Sequence, residues 1–365
     1  MSVTCGIVGL PRVGKTTVFN ALTASQAQVH AFAGGSKDPN VAVVPVPDAR
    51  LDDLGQIFKS KKITPATLEF VDLAGLAKGA SKGEGLGNEF LASIREADAV
   101  IHVVRCFENE EVVHVEPTLD PARDIETVNL ELVLADMATA EKRREKSIKL
   151  ARSGDEPAKK LVSALEKLLA VLGEGKPARS AGLQKEEWAL MPDLHFLTAK
   201  PTIYVANVDE NGLDAGHALA RAVEEEAKKE GAPCIRLCAQ VEAELQSLPV
   251  AERADFMSAY GLTEPGLHKL ITAAFSALDL MTFLTAGEKE SRAWTIRKGT
   301  KAPQAAGKIH SDIERGFIRL EVYKYDEWVA CGKDEKKVKE KGHWRSEGRE
   351  YVMQEGDVCL FRFNV

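Results

Sequence analysis

The residues with the clearest chemistry stand near the N-terminus. Gly9-Leu10-Pro11-Arg12-Val13-Gly14-Lys15-Thr16 has the spacing G-x-x-x-x-G-K-[ST]. Glycines let consecutive backbone N–H groups curl around phosphate oxygens, and the helix that should follow, Thr17 to Leu22, adds positive potential at its N-terminus. Arg12, Val13, Gly14, Lys15, Thr16 and Thr17 are therefore the expected triphosphate cradle. Lys15 should reach the β- and γ-phosphates, and Thr16 offers a hydroxyl to Mg²⁺. The apolar run Thr4–Val8 supplies the preceding strand, so the motif sits in a strand-loop-helix context rather than a chance glycine turn.

A second acidic strand end supports this reading. Glu69-Phe70-Val71-Asp72 leads into Leu73-Ala74-Gly75. Asp72 can hold the Mg²⁺ shell through water, and the Gly75 N–H can meet a γ-phosphate. The loop from Gly75 to Asn88 has five glycines within thirteen positions, Gly75 to Gly87, which suits a switch segment. Within it, Glu84 and Asn88, with Arg95 beyond, fit switch contacts or a solvated face equally well.

Base choice is legible further on. Guanine is read by Asn-Lys-x-Asp, whose carboxylate accepts from N1–H and the 2-amino group. After Ile203-Tyr204-Val205-Ala206 the chain instead reads Asn207-Val208-Asp209-Glu210. Asn207, Val208 and Glu210 are the residues expected to hold the base: Val208 replaces the lysine and can pack on either purine, Glu210 is one methylene longer than the guanine-reading acid, and Asp209 is one position early and should point elsewhere. Adenine lacks the two adjacent donors, so ATP is the expected guest, with GTP weaker. Cys238-Ala239-Gln240 should add backbone contacts to the base.

The attacking water has no obvious partner, because Leu76 follows Gly75 and can neither donate nor accept. His114, in Val112-Val113-His114-Val115, is the catalytic candidate, since imidazole orients water near neutral pH. A histidine packed on an apolar strand is the plainer alternative. Lys78 and a group supplied in trans are the other options, while His102 lies inside a strand and reads as structural. A nucleotide-gated binding module with negligible hydrolysis and a true GTPase are the rival functions.

These groups need a scaffold. Thr4–Val8, Leu68–Asp72, Val100–Arg105, Ile203–Asn207 and Ile235–Ala239 read as buried strands separated by helices, which predicts an α/β fold with a parallel sheet covered on both faces. From Pro121 to Leu197 the rhythm breaks. Ile125 to Leu172 is helical and highly charged, with a break at Ser153–Pro157. Leu161, Leu165, Leu168 and Leu172 form one apolar stripe, expected to close a helical hairpin. After about Leu280, alternation such as Phe317–Val322 predicts a small β-rich domain, and Lys333–Arg345 reads as a solvated element. Trp294, Lys298, Lys301, Lys308, His310, Lys324, Tyr325 and Trp328 suit an RNA-facing surface and a β-domain core equally.

Composition is consistent with this. At 365 residues, 44% hydrophobic and 28% charged, the chain is long enough for two or three domains with ordinary cores. No run approaches a membrane span, the N-terminus lacks a signal-peptide pattern, and six scattered cysteines without Cys-x-x-Cys suit a reducing cytoplasm. The net charge of −7 is uneven: Met281–Val365 holds 17 basic and 14 acidic residues, so an acidic body carries a mildly basic C-terminal part.

Together, Gly9–Thr16, Asp72–Asn88, Asn207–Glu210 and Ala302-Pro303-Gln304-Ala305-Ala306-Gly307-Lys308-Ile309-His310 resemble the YchF-type Obg-like ATPases of the translation-factor-related P-loop GTPase class, essentially end to end. The resemblance implies a P-loop NTPase G domain over residues 1–120 and 198–280, a coiled-coil-like helical insertion over 121–197 and a C-terminal TGS β-grasp domain over 281–365. It implies ATP hydrolysis with Mg²⁺, and association with the ribosome or its RNA, with links to stress responses. Neither a membrane nor DNA is an expected partner. It also places Ser36 where the family's first switch carries a Mg²⁺-coordinating threonine. Two glycines, Gly34 and Gly35, precede Ser36 and raise the entropy cost of closing that loop, and Arg12 stands where the family usually has asparagine.

Overall fold

The computed structural model describes residues 3–27, 40–73, 86–109, 118–214 and 216–364. The nucleotide-binding body is built on one six-stranded sheet. Its strands are β1 (Thr4–Val8), β2 (Val41–Pro45), β4 (Thr67–Asp72), β5 (Ala99–Cys106), β6 (Thr202–Val208) and β7 (Cys234–Leu237), in the order β2-β4-β1-β5-β6-β7. Every residue of β5 is buried, as expected of a strand covered on both faces. Helices α1 (Lys15–Ala27), α2 (Ala49–Ile57) and α3 (Leu86–Glu96) occupy the first half of this body.

Neighbouring strands are parallel with one exception. β2 runs antiparallel to β4, pairing Val41 with Val71 through Pro45 with Thr67. The wholly parallel sheet predicted from sequence is corrected at this edge. The expected strand over Ile235–Ala239 also ends early, because Cys238 becomes a helix N-cap and Ala239 opens a helix. The five parallel strands bring the C-terminal ends of β1, β4, β5, β6 and β7 to one edge. In such sheets ligands bind there, where the chain leaves β1 between neighbours on either side.

The hairpin consists of α4 (Pro121–Arg152) and α5 (Glu156–Gly173). Asp120 caps α4 by accepting from Arg123 N at 3.2 Å, and Asp155 caps α5 by accepting from Ala158 N at 2.7 Å. The leucine stripe packs in one apolar cluster with Val133 and Ala140 of α4. The single turn α6 (Lys185–Trp188) follows. Asp136 of α4 ties the returning chain down: its buried carboxylate accepts from Leu197 N and Thr198 N, both at 2.8 Å, and from Thr198 Oγ1 at 2.6 Å. This fixes the entry into β6.

Helices α7 (Ala218–Lys229), α8 (Ala239–Ser247), α9 (Val250–Ala259) and α10 (Gly266–Ala277) complete the body. A second six-stranded sheet follows the order β11-β10-β12-β8-β9-β3, built from β8 (Leu280–Thr285), β9 (Ser291–Arg297), β10 (Phe317–Lys324), β11 (Arg345–Glu347) and β12 (Asp357–Phe363), with α11 (Ala302–Ile309) inserted after β9. Its last strand, β3 (Ile63–Thr64), comes from the connection between β2 and β4 and pairs parallel with β9. The core is continuous across this junction: Phe58 stacks on fully buried Trp328. Among the described residues no helix is long and apolar enough to cross a membrane, and all six cysteines are free.

Candidate functional site

The loop between β1 and α1 needs unusual backbone angles. Gly9 has φ +148° and Gly14 φ +96°. A Cβ at Gly9 would lie 2.4 Å from Val103 O, and one at Gly14 would lie 2.2 Å from Asn207 Nδ2, so both positions need glycine for space as well as conformation. Arg12 is the exposed residue of the turn and takes a left-handed φ of 62°, which in a non-glycine residue costs about 1–2 kcal/mol. Helix α1 begins at Lys15, and Val18 N donates to Gly14 O at 3.0 Å. The exposed first turn at Thr16 and Thr17 places helix N-terminal potential at the loop.

Lys15 is 7% exposed, and its Nζ donates to Gly9 O at 3.1 Å and Leu10 O at 2.8 Å. The ammonium thus lies along the loop that should hold phosphate. Burial lowers its pKa to about 8, and the nearby Asp72 carboxylate opposes that shift. Thr16 Oγ1 donates to Asp72 Oδ2 at 3.1 Å. Burial raises the pKa of Asp72, countered by the Thr16 hydroxyl and by Lys15. The hydroxyl and ammonium of the Gly9–Thr16 motif and the carboxylate of a separate strand end therefore converge. Among the described residues no three His, Cys, Asp or Glu side chains gather as a metal cluster. One hydroxyl and one carboxylate beside a phosphate loop instead suit Mg²⁺, which keeps waters and borrows phosphate oxygens.

Both ends of the Asn207 side-chain amide are engaged. Its buried Nδ2 donates to Val13 O at 2.9 Å, and its Oδ1 accepts from Ala239 N at 3.0 Å. One side chain at the end of β6 thus ties the phosphate loop to the start of α8. Beside it lies a cavity of about 340 Å³, walled by Gly14, Thr17, Phe107, Val208, Glu210 and Gln240 among others. Asp209 is occupied locally, accepting from Gly212 N at 2.8 Å to cap a short turn.

The wall at Phe107, Glu108 and Asn109 was missed in the sequence. The available signal was positional, an aromatic just beyond the end of a buried strand next to β6. Arg105 holds this wall. Its guanidinium is buried, donates from Nε to Phe107 O at 3.0 Å, and sits 4.5 Å from the Phe107 ring centroid. His102 is buried in β5 against Tyr204, and burial holds its pKa near 3, so it is a neutral structural residue as expected. Ser36, Gly75, Leu76, Lys78, Glu84 and His114 lie outside the described residues.

The C-terminal aromatics resolve toward the core. Trp328 is fully buried, Tyr325 donates to Asp53 Oδ2 at 2.5 Å, and Trp294 stacks on Phe283 while donating to Thr285 Oγ1 at 2.9 Å. Lys324 pairs at 2.9 Å with Asp357, itself fully buried. The Lys333–Arg345 stretch is not wholly solvated. Lys333 bonds Asp53 at 2.5 Å, and Val338 is buried.

Residues 4–137 match a family described as 50S ribosome-binding GTPase, and residues 280–364 match the YchF GTPase C-terminal family, described as a protein of unknown function. The chain is 50% identical over 365 residues to the ribosome-binding ATPase YchF of Haemophilus influenzae, with each protein fully covered. It is 48% identical over 367 residues to the protein of the same name from Bacillus subtilis strain 168, again over both full lengths. The solved structure of the Schizosaccharomyces pombe YchF GTPase superposes with a TM-score of 0.90 at 36% identity, covering 99% of this chain and 98% of that one.

Proposed function

The chain belongs to the YchF family, and from that premise we propose that it is a cytoplasmic, Mg²⁺-dependent ATPase that acts as a nucleotide switch on the ribosome. One observation carries the nucleotide part. The Gly9–Thr16 loop, with Lys15 along it and Thr16 bonded to Asp72, opens beside a base-sized cavity whose lining aspartate, Asp209, accepts from Gly212 N through Oδ1. ATP is accordingly the preferred nucleotide, and GTP the weaker one. Ribosome action rests on the names of the full-length relatives.

Thr16 and Asp72 would hold Mg²⁺, with Ser36 as a further hydroxyl, and the ion supplies neutralisation of the β- and γ-phosphate charge. Lys15 adds fixed positive charge, the Gly75 N–H contacts the γ-phosphate, and His114 orients water. Val208 and Phe107 present apolar faces to the base, with Asn207 fixing the pocket's geometry. Residues 1–120 and 198–280 form the nucleotide-binding body. The arm over 121–197 and the TGS-type domain over 281–365 present the nucleotide state to the ribosome.

Titration calorimetry of the full chain with AMPPNP and GMPPNP, in Mg²⁺ and in EDTA, tests the core of this. Tighter AMPPNP binding that depends on Mg²⁺ is the expected result. Preference for GMPPNP, or no heat from either analogue, overturns it.

A further inference from the structure

One wall of the base cavity lies outside any helix or strand. Phe107, Glu108 and Asn109 line the cavity directly after β5 ends at Cys106. Phe107 is only half-buried, and Glu108 and Asn109 are exposed, so apolar burial alone does not fix this wall.

Arg105 supplies the support. The residue is 3% exposed, and a guanidinium taken out of water is costly unless its donors find acceptors. Its Nε donates to Phe107 O at 3.0 Å and its Nη2 to Asn109 O at 3.4 Å, while its guanidinium carbon lies 4.5 Å from the Phe107 ring centroid. One planar fork thus pins the backbone at both ends of the wall and lies against the aromatic ring within it. Arg105 of β5 is also in register with Asn207 of β6. Two adjacent strands therefore end at the same level in a bracing side chain. Asn207 holds the phosphate loop and the start of α8, and Arg105 holds the wall across the cavity.

We propose that Arg105 is a positioning residue for the base: it presets the Phe107–Asn109 wall, so that a purine meets a ring already in place. Fixing the ring before the ligand arrives removes an ordering cost from binding. Every base has an aromatic face, so a fixed ring strengthens binding of adenine and guanine alike. Arg105 thus acts on base affinity, and not on phosphate grip or purine choice. The inference rests on the reading of this cavity as the base site and extends it to a buried cation outside the motif.

The test is competition calorimetry of the full-length protein in Mg²⁺ with AMPPNP, GMPPNP and inorganic tripolyphosphate, which has the phosphates without a base. Arg105→Lys keeps the charge but is a point donor without the flat fork, and should weaken AMPPNP and GMPPNP about fivefold each, with tripolyphosphate within about twofold of wild type. Arg105→Met should weaken both nucleotides by about tenfold, the scale of one lost base–aromatic stack. Arg105→Met/Phe107→Ala should bind AMPPNP no more weakly than Phe107→Ala alone, because the arginine acts through that ring. AMPPNP affinity within about twofold of wild type in both single Arg105 variants overturns the proposal. So does an equal loss of tripolyphosphate binding in Arg105→Lys, which a general disturbance of the fold would produce, or losses that multiply in the double variant. A wild type that binds AMPPNP no more tightly than tripolyphosphate defeats the reading of the cavity as the base site, and this inference with it.

Discussion

Replacing Asn207 with alanine tests the strut between phosphate loop and base pocket. The substitution removes two buried hydrogen bonds, to Val13 O at 2.9 Å and from Ala239 N at 3.0 Å. It also removes the group against which Gly14 is seated. A buried backbone group that loses its partner costs about 1–3 kcal/mol, so the two together should cost about 2–6 kcal/mol. If about 2 kcal/mol of this appears as easier local opening, exchange protection of the Ala239 amide falls about 30-fold. Hydrogen-exchange mass spectrometry of peptides from the start of α8 reads that loss directly. AMPPNP titration of the same protein should show binding at least about tenfold weaker, because Val13 and Gly14 are no longer held. Protection within about threefold of wild type, with AMPPNP affinity unchanged, would refute the strut.

Four further outcomes follow from the same site. Gly14→Ala drives a Cβ to 2.2 Å from Asn207 Nδ2 at a φ of +96°, so AMPPNP affinity should fall by at least about tenfold in titration; ordinary binding would contradict the close packing. Lys15 titrates near 8 in the folded chain against its ordinary 10.5, so the unfolded chain holds more protons between those values and this group's contribution to stability rises with pH across that window. Nucleotide affinity has the opposite sign: a triphosphate selects the ammonium, so binding weakens by about tenfold per pH unit above about 8, and Lys15→Met should flatten the profile measured by fluorescence titration. Thr16→Val removes the hydroxyl that bonds Asp72, and the Mg²⁺-dependent part of AMPPNP affinity should vanish; affinity that still responds to Mg²⁺ as in wild type removes Thr16 from the ion's shell. His114→Ala should slow single-turnover ATP hydrolysis by about a hundredfold with little change in AMPPNP binding, whereas unchanged turnover excludes it as the water-orienting group.

How far the sequence reaches can be followed residue by residue. The Gly9–Thr16 turn was legible because its glycines and its lysine are spaced along one contiguous stretch, and local backbone angles follow from local composition. Asp209, expected to point elsewhere, caps its own turn three residues on but also lines the cavity. The leucine stripe at Leu161, Leu165, Leu168 and Leu172 gave the hairpin because its period is a property of the helix itself. The mixed use of Trp294, Tyr325 and Trp328 was not legible, since an aromatic that stacks on a base and one that fills a core have the same chemistry.

What sequence determined, then, is the set of local conformations and the kinds of groups they present: a phosphate loop, a strand-end acid and a weakened guanine motif. Tertiary structure decided which groups meet. It turned β2 antiparallel, gave β3 to the second sheet, brought Phe107 to the cavity, and bonded Asn207 to Val13, 194 residues away along the chain. The physical reason is that a hydrogen bond or an apolar contact is short-ranged in space but indifferent to separation along the chain. Spacing can fix the shape of a turn, while the partner of a buried amide is chosen only when the whole core closes around it.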